Sequence, residues 1–227
     1  MGLSVEFLRN ISREEVSNLP IRRYEGEICL VEDAGGLERA AEDIQADRVV
    51  GFDTETRPAF RVGESHLPAL AQVATARAVY IFPLQRLDCS AVLAPMLSAR
   101  GIVKAGISLA DDLKKLKQVL AFEEAAVLDL GHVARHHGLK QTGLRNLTGL
   151  LLGTRIPKGA KTTNWAVRHL SAQQITYAAT DAWACRELYL KFEELALLQG
   201  GPTAHAMVGQ RPAPWWAVGP PYACHTA

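Results

Sequence analysis

The segment Gly51-Phe-Asp-Thr-Glu-Thr56 carries two carboxylates, Asp53 and Glu55, two residues apart in a β-rich run. Alternate side chains of a strand share a face, so Asp53 and Glu55 point one way and Phe52 and Thr54 the other. Two like charges on one strand face repel and contribute nothing to folding. They make chemical sense around a divalent cation, because hard cations such as Mg²⁺ take oxygen ligands. The alternative is an edge strand with a solvated face. Val49, Val50 and Phe52 beside them favour a central strand instead.

Two further segments carry acids at positions suited to chemistry. In Lys104-Ala-Gly-Ile-Ser-Leu-Ala-Asp-Asp112, Ser108 is placed as a helix N-cap with Asp111 at the capping-box position. Asp112 falls in the first helical turn, where the backbone dipole favours a carboxylate. Taken alone, either acid reads as an ordinary helix-start residue. In Tyr177-Ala-Ala-Thr-Asp181, the Tyr and Asp stand four residues apart on one helix face. That helix is expected to begin at the capping box Ser171-Ala-Gln-Gln174. Ala178, Ala179 and Ala182 leave room for a ligand to come close. By itself a Tyr four residues before an Asp is also a common mixture of surface and core.

The elements that must hold these groups follow from periodicity. Strands are expected over 28–31, 49–54, 70–75, 79–82 and 101–104, with helical patterns over 37–44 and 90–97. After Ser108 the pattern is mainly helical, broken at Gly138, Gly153–Gly159 and Ser171. Strands first and helices second give an α/β fold with a mixed β-sheet flanked by α-helices. From Gly200 onward, Pro202, Pro212, Pro214, Pro220 and Pro221 rule out a sustained helix. Residues 1–24 are read as an N-terminal extension, 25–199 as one domain, and 200–227 as a Pro-rich tail, extended or disordered.

The chain has 227 residues, 48% hydrophobic and 22% charged, as expected of an ordinary globular protein. No apolar run approaches the roughly 20 residues needed to span a bilayer. The first residues lack the apolar core of a secretory signal, so a cytoplasmic location without membrane contact is expected. Cys29, Cys89, Cys185 and Cys224 have no paired spacing for zinc or a disulfide framework, and read as reduced, mostly buried thiols. Net charge is only +1, but it is unevenly spread. Residues 1–50 hold 6 basic and 11 acidic side chains, and residues 100–170 hold 12 and 5. No carboxylate lies between Asp129 and Asp181, where Arg135, Lys140, Arg145, Arg155, Lys158, Lys161 and Arg168 all fall. Such a surface attracts a polyanion, although a solvated helical face is the plain alternative.

An Asp-x-Glu strand, a helix-start Asp and a Tyr-x-x-x-Asp helix follow one another at spacings that fit one domain. In this the chain resembles the DEDD, or DnaQ-like, exonuclease superfamily, and within it the branch of ribonuclease D and the Werner syndrome exonuclease domain. The resemblance runs from about Gly51 to Leu190 and includes Val103-Lys-Ala-Gly106, Gly143-Leu-Arg-Asn-Leu147 and Thr163-Asn-Trp165. Tyr177 places it in the tyrosine subgroup. Counting from Lys104 puts the second-motif acid at Asp112 and leaves Asp111 as the cap.

The resemblance implies a ribonuclease H-like fold and a 3′→5′ exonuclease that needs two divalent ions, Mg²⁺ or Mn²⁺. Asp53 would reach both ions, Glu55 and Asp181 would complete one site, and Asp112 would hold the other. Tyr177 would orient the attacking water. The substrate would be the 3′ end of DNA or RNA, held by Arg145, Lys158, Lys161, Thr162 and Thr163. Nothing after Leu198 is long enough for the helical module that follows the exonuclease domain in ribonuclease D itself. Two other classes compete. One is a binding module of this fold that has lost catalysis, which metal-dependent release of mononucleotides would exclude. The other, a Rossmann nucleotide-binding protein, lacks the Gly-x-Gly-x-x-Gly turn.

Overall fold

The computed structural model describes residues 9–61, 63–157 and 163–198. Among them, β1 (Glu27–Leu30), β2 (Val49–Thr56), β3 (Pro68–Ala74), β4 (Ala78–Pro83), β5 (Val103–Gly106) and β6 (Val127–Asp129) form one sheet. Its order is β1-β4-β3-β2-β5-β6. β2–β3 and β3–β4 pair antiparallel, whereas β1–β4, β2–β5 and β5–β6 pair parallel. The mixed sheet expected from the sequence is therefore present, with β2 near its centre.

The alternation of β2 assigns its residues to two layers. Val50 and Phe52 pack with α2 (Ala34–Ala46), α3 (Ser90–Ser98) and α4 (Leu109–Leu116), through Ala40, Ile44, Leu93, Leu97, Leu109 and Leu113. The other face of the sheet lies under α5 (Leu130–His136), α6 (Leu144–Leu152) and the long α7 (Ala172–Glu194). Ala178, Ala179 and Ala182 of α7 pack there on Leu70 and Ala74 of β3. Burying both faces is what makes β2 a nearly continuous apolar run up to Asp53.

Three elements depart from expectation. β6 is a strand inside the half read as helical; at three residues it is too short to show a period. α1 (Arg13–Asn18) lies within the segment read as an extension, opened by a capping box between Ser12 and Glu15. Pro20 and Ile21 beyond it pair with Arg155, so this segment braces the stretch that leads to Ile156. At α4, Ser108 is the N-cap residue but makes no capping bond, and Asp111 does not close a capping box. Ser108 instead adopts a left-handed conformation, φ 58°, which turns the chain sharply from β5 into the helix and costs roughly 1–2 kcal/mol for a residue with a Cβ. The Pro-rich tail and Cys224 lie outside the described residues. Cys29, Cys89 and Cys185 are free thiols, as read, with the latter two buried.

Lys104 on β5 is fully buried. Its Nζ donates to the carbonyls of Ala99 (2.6 Å) and Ile102 (2.8 Å), and burial lowers its pKa from 10.5 to about 7. Between those values the unfolded chain carries a proton that the folded chain does not. Stability therefore falls as pH drops from 10.5 towards 7 and levels off below that. Relative to Lys104→Met, the wild type is expected to gain on the order of 2–4 kcal/mol between pH 7 and pH 10. Urea unfolding of both proteins at several pH values checks this; parallel curves would contradict it.

Candidate metal centre and nucleic-acid interface

α7 reaches the site because β2 has no side chain where the two cross. A Cβ on Gly51 would stand 1.9 Å from the Ala182 carbonyl oxygen and 2.8 Å from the Arg186 nitrogen. Close backbone approach of this kind requires glycine. The small Ala178 and Ala182 complete the fit. Asp181, one residue before Ala182, is thereby set beside Asp53. The helix starts at the expected capping box, Ser171 accepting from the Gln174 backbone N–H and the Gln174 side chain accepting from Ser171.

One carboxylate oxygen from each of Asp53, Glu55 and Asp181 lies within 4.8 Å of the others. Asp112 is not in this cluster. It approaches from α4, on the opposite layer, and Thr54 Oγ1 donates to its Oδ1 at 3.0 Å. All four acids line one cavity of about 490 Å³, together with Thr54, Ile107, Arg145, Tyr177 and Cys185. That size falls inside the roughly 300–1,000 Å³ of ordinary ligand clefts. Asp111 is exposed and does not line it.

The electrostatics are those of a site prepared for positive charge. Burial raises the Asp53 carboxyl well above the usual range, and the neighbouring Asp181 and Asp112 push it further. Burial also raises Asp112, against which the Thr54 hydrogen bond and Lys115 pull it down. Tyr177 is raised too, by burial first and then by Asp181 and Glu55, so it is a neutral phenol at ordinary pH. Its ring lies 6.0 Å from the buried Trp165. An all-oxygen donor set of clustered carboxylates, costly when empty, fits a hard divalent ion.

The cavity is also lined by Gly143, Leu144, Arg145, Asn146, Ile156 and Pro157, drawn from the stretch without acids. Arg145 is half-buried, and its Nε is shielded from solvent without a hydrogen-bond partner. Thr163 is exposed and its hydroxyl accepts from Gln174 Nε2; it does not line the cavity. Lys158, Lys161 and Thr162 lie outside the described residues. His136 and His137 sit at the end of α5, where His137 Nε2 donates to the Leu197 carbonyl, and Asp129 caps α5 by accepting from His132. Sequence reasoning missed Thr54, Ile107 and Cys185 as cavity residues. The period-2 rule turns Thr54 away from both acids, and only its tertiary contact with Asp112 brings it to the cavity.

A family model described as 3′-5′ exonuclease matches residues 28–196. The exonuclease mut-7 homolog of Aedes aegypti is 27% identical over 199 residues, which cover 77% of this chain and 27% of that protein. The bifunctional 3′-5′ exonuclease/ATP-dependent helicase WRN of Mus musculus is 29% identical over 189 residues, 78% of this chain and 13% of that one. The chain thus spans under a third of either relative's length. The crystal structure of the Aedes aegypti Nibbler EXO domain matches 82% of this chain and 97% of its own, with a TM-score of 0.69 at 24% identity. That match shows a shared fold, the ribonuclease H-like sheet with flanking helices. Taken with the matched family model, it means that the chain belongs to the 3′-5′ exonuclease family, within the DEDD superfamily.

Proposed function

We propose that this chain removes nucleotides one at a time from the 3′ end of a DNA or RNA strand by hydrolysis, releasing nucleoside 5′-monophosphates. The observation that carries this reading is the carboxylate cluster of Asp53, Glu55 and Asp181 in one cavity with Asp112 and Tyr177. Two divalent ions, Mg²⁺ or Mn²⁺, would supply an acidified water and neutralise charge on the leaving 3′ oxygen. Asp53 would serve both ions, Glu55 and Asp181 would help to hold one, and Asp112 would hold the other. Tyr177, held neutral, donates a hydrogen bond and aligns the water; it is no base at neutral pH. The water oxygen would bond to the terminal phosphorus as the P–O3′ bond breaks. The released nucleotide keeps the phosphate, and the 3′ oxygen takes a proton to leave a free 3′ hydroxyl on the strand. No helix among the described residues is long and apolar enough to cross a membrane.

Hydrolysis in ¹⁸O-labelled water tests the chemistry. The label is expected in the 5′ phosphate of the released mononucleotide, only with Mg²⁺ or Mn²⁺ present. Release of 3′-phosphates, or release undiminished by EDTA, would contradict it. The presence of all four acids and Tyr177 in the cavity supports catalysis over a binding module of this fold that has lost it, and metal-dependent release of mononucleotides separates the two.

Arg145 is proposed to contact a backbone phosphate, because it lines the cavity with the acids and its Nε is shielded without a hydrogen-bond partner. Arg145→Ala is expected to raise KM roughly 10-fold, the loss of one charge-assisted hydrogen bond, with little change in kcat. The salt dependence of kcat/KM should become shallower. Steady-state kinetics at several salt concentrations check both; an unchanged KM would remove Arg145 from the substrate path.

A further inference from the structure

Asp112 reaches the cavity differently from the other three acids. Asp53 and Glu55 project from β2 towards α7, and Asp181 comes from α7 itself. Asp112 belongs to α4, whose Leu109, Leu113 and Leu116 are buried with Val50 and Phe52 on the other layer of the sheet. The second ion site would therefore draw on acids from both sides of β2, the strand that α4 and α7 flank.

Thr54 bridges them. It stands between Asp53 and Glu55 in sequence, so its side chain leaves β2 on the α4 face. It is 8% exposed, lines the cavity, and donates from Oγ1 to Asp112 Oδ1 at 3.0 Å. Among the described residues no other side chain hydrogen-bonds Asp112. Its backbone N–H meanwhile donates to Asp53 Oδ1 at 2.9 Å. One residue thus touches an acid of each layer. The hydroxyl is not needed to dock α4, since three buried leucines already do so.

The geometry points to Thr54 as the positioning residue of the second ion site: its hydroxyl fixes the Asp112 carboxylate so that the other oxygen is presented to a divalent ion. This rests on the two-ion reading above. A carboxylate on a short helix can otherwise rotate about its side-chain torsions, and an ion held by few protein ligands is sensitive to that freedom. Groups that hydrogen-bond a ligating side chain are typically worth about 10–100-fold in metal affinity.

Mn²⁺ binding to the full chain, followed by electron paramagnetic resonance without substrate, tests it alongside thermal unfolding. The wild type is expected to bind two ions. Thr54→Val, nearly the same shape, should keep the first ion's affinity and loosen the second by about 10–100-fold, with unfolding temperature unchanged. Thr54→Ser should restore binding to within about twofold, because it keeps the donor. On an Asp112→Ala background, Thr54→Val should have no further effect, as expected when one residue acts through the other. Two ions bound equally well by wild type and Thr54→Val would overturn the role of Thr54 and leave the proposed hydrolysis standing. Equal weakening of both ions with a lower unfolding temperature would reduce Thr54 to a packing residue. A wild type that binds no Mn²⁺ would overturn both readings.

Discussion

Asp53→Asn is expected to leave a folded protein with no measurable hydrolysis. Asp53 is the acid at the centre of the arrangement, clustered with Glu55 and Asp181 and sensing the charge of both Asp181 and Asp112. In the proposed two-ion mechanism, losing its charge would remove the group that serves both ion positions, so a fall of at least about 10³-fold is expected. Stability should move the other way. The folded-state pKa of Asp53 lies above its ordinary 3.8, so the metal-free protein loses stability as pH climbs from 3.8 through the raised value. Asn has no such charge, and the metal-free variant should unfold at the same or a higher temperature at neutral pH. Metal-dependent activity near the wild-type rate would remove Asp53 from the site. A loss of activity accompanied by unfolding would show instead that the acid holds the fold.

Tyr177→Phe is expected to lower kcat by on the order of 10²-fold, the usual scale for one well-placed hydrogen bond in a transition state. The ring fills the same space against Trp165, so stability and metal affinity should hardly change. The pH profile discriminates the role. A neutral phenol with a raised pKa contributes no ionisation near neutrality, and the variant's profile should keep the wild-type shape at lower height. A missing limb in the variant would make Tyr177 a base, and a rate within twofold of wild type would make it packing.

The acids were legible because each lies on an element with a clear period. Asp53 and Glu55 share a face by strand alternation, and Tyr177 and Asp181 share one by helical spacing behind a capping box that the structure contains. The sheet was legible for the same reason, from runs such as that from Val49 to Phe52, buried on both faces. What stayed hidden depends on tertiary contact. Thr54 looked inert because its partner Asp112 is 58 residues away. Gly51 read as an ordinary strand residue until the Ala182 carbonyl was seen against it. β6 is too short for a period, and Ser108 turns the chain by backbone conformation where a side-chain cap was expected. The stretch with Lys158, Lys161 and Thr162 remains a proposal for phosphate binding.

The most direct test is a time course on one oligonucleotide labelled separately at its 5′ and 3′ ends, with Mg²⁺, with Mn²⁺ and with EDTA. The 3′ label should leave as a mononucleotide from the first time point, while the 5′-labelled strand shortens in single-nucleotide steps, and both should stop with EDTA or in Asp53→Asn. Binding of the oligonucleotide with both labels left intact in either metal, or the appearance of internal fragments before the 3′ label is lost, would contradict a 3′→5′ exonuclease.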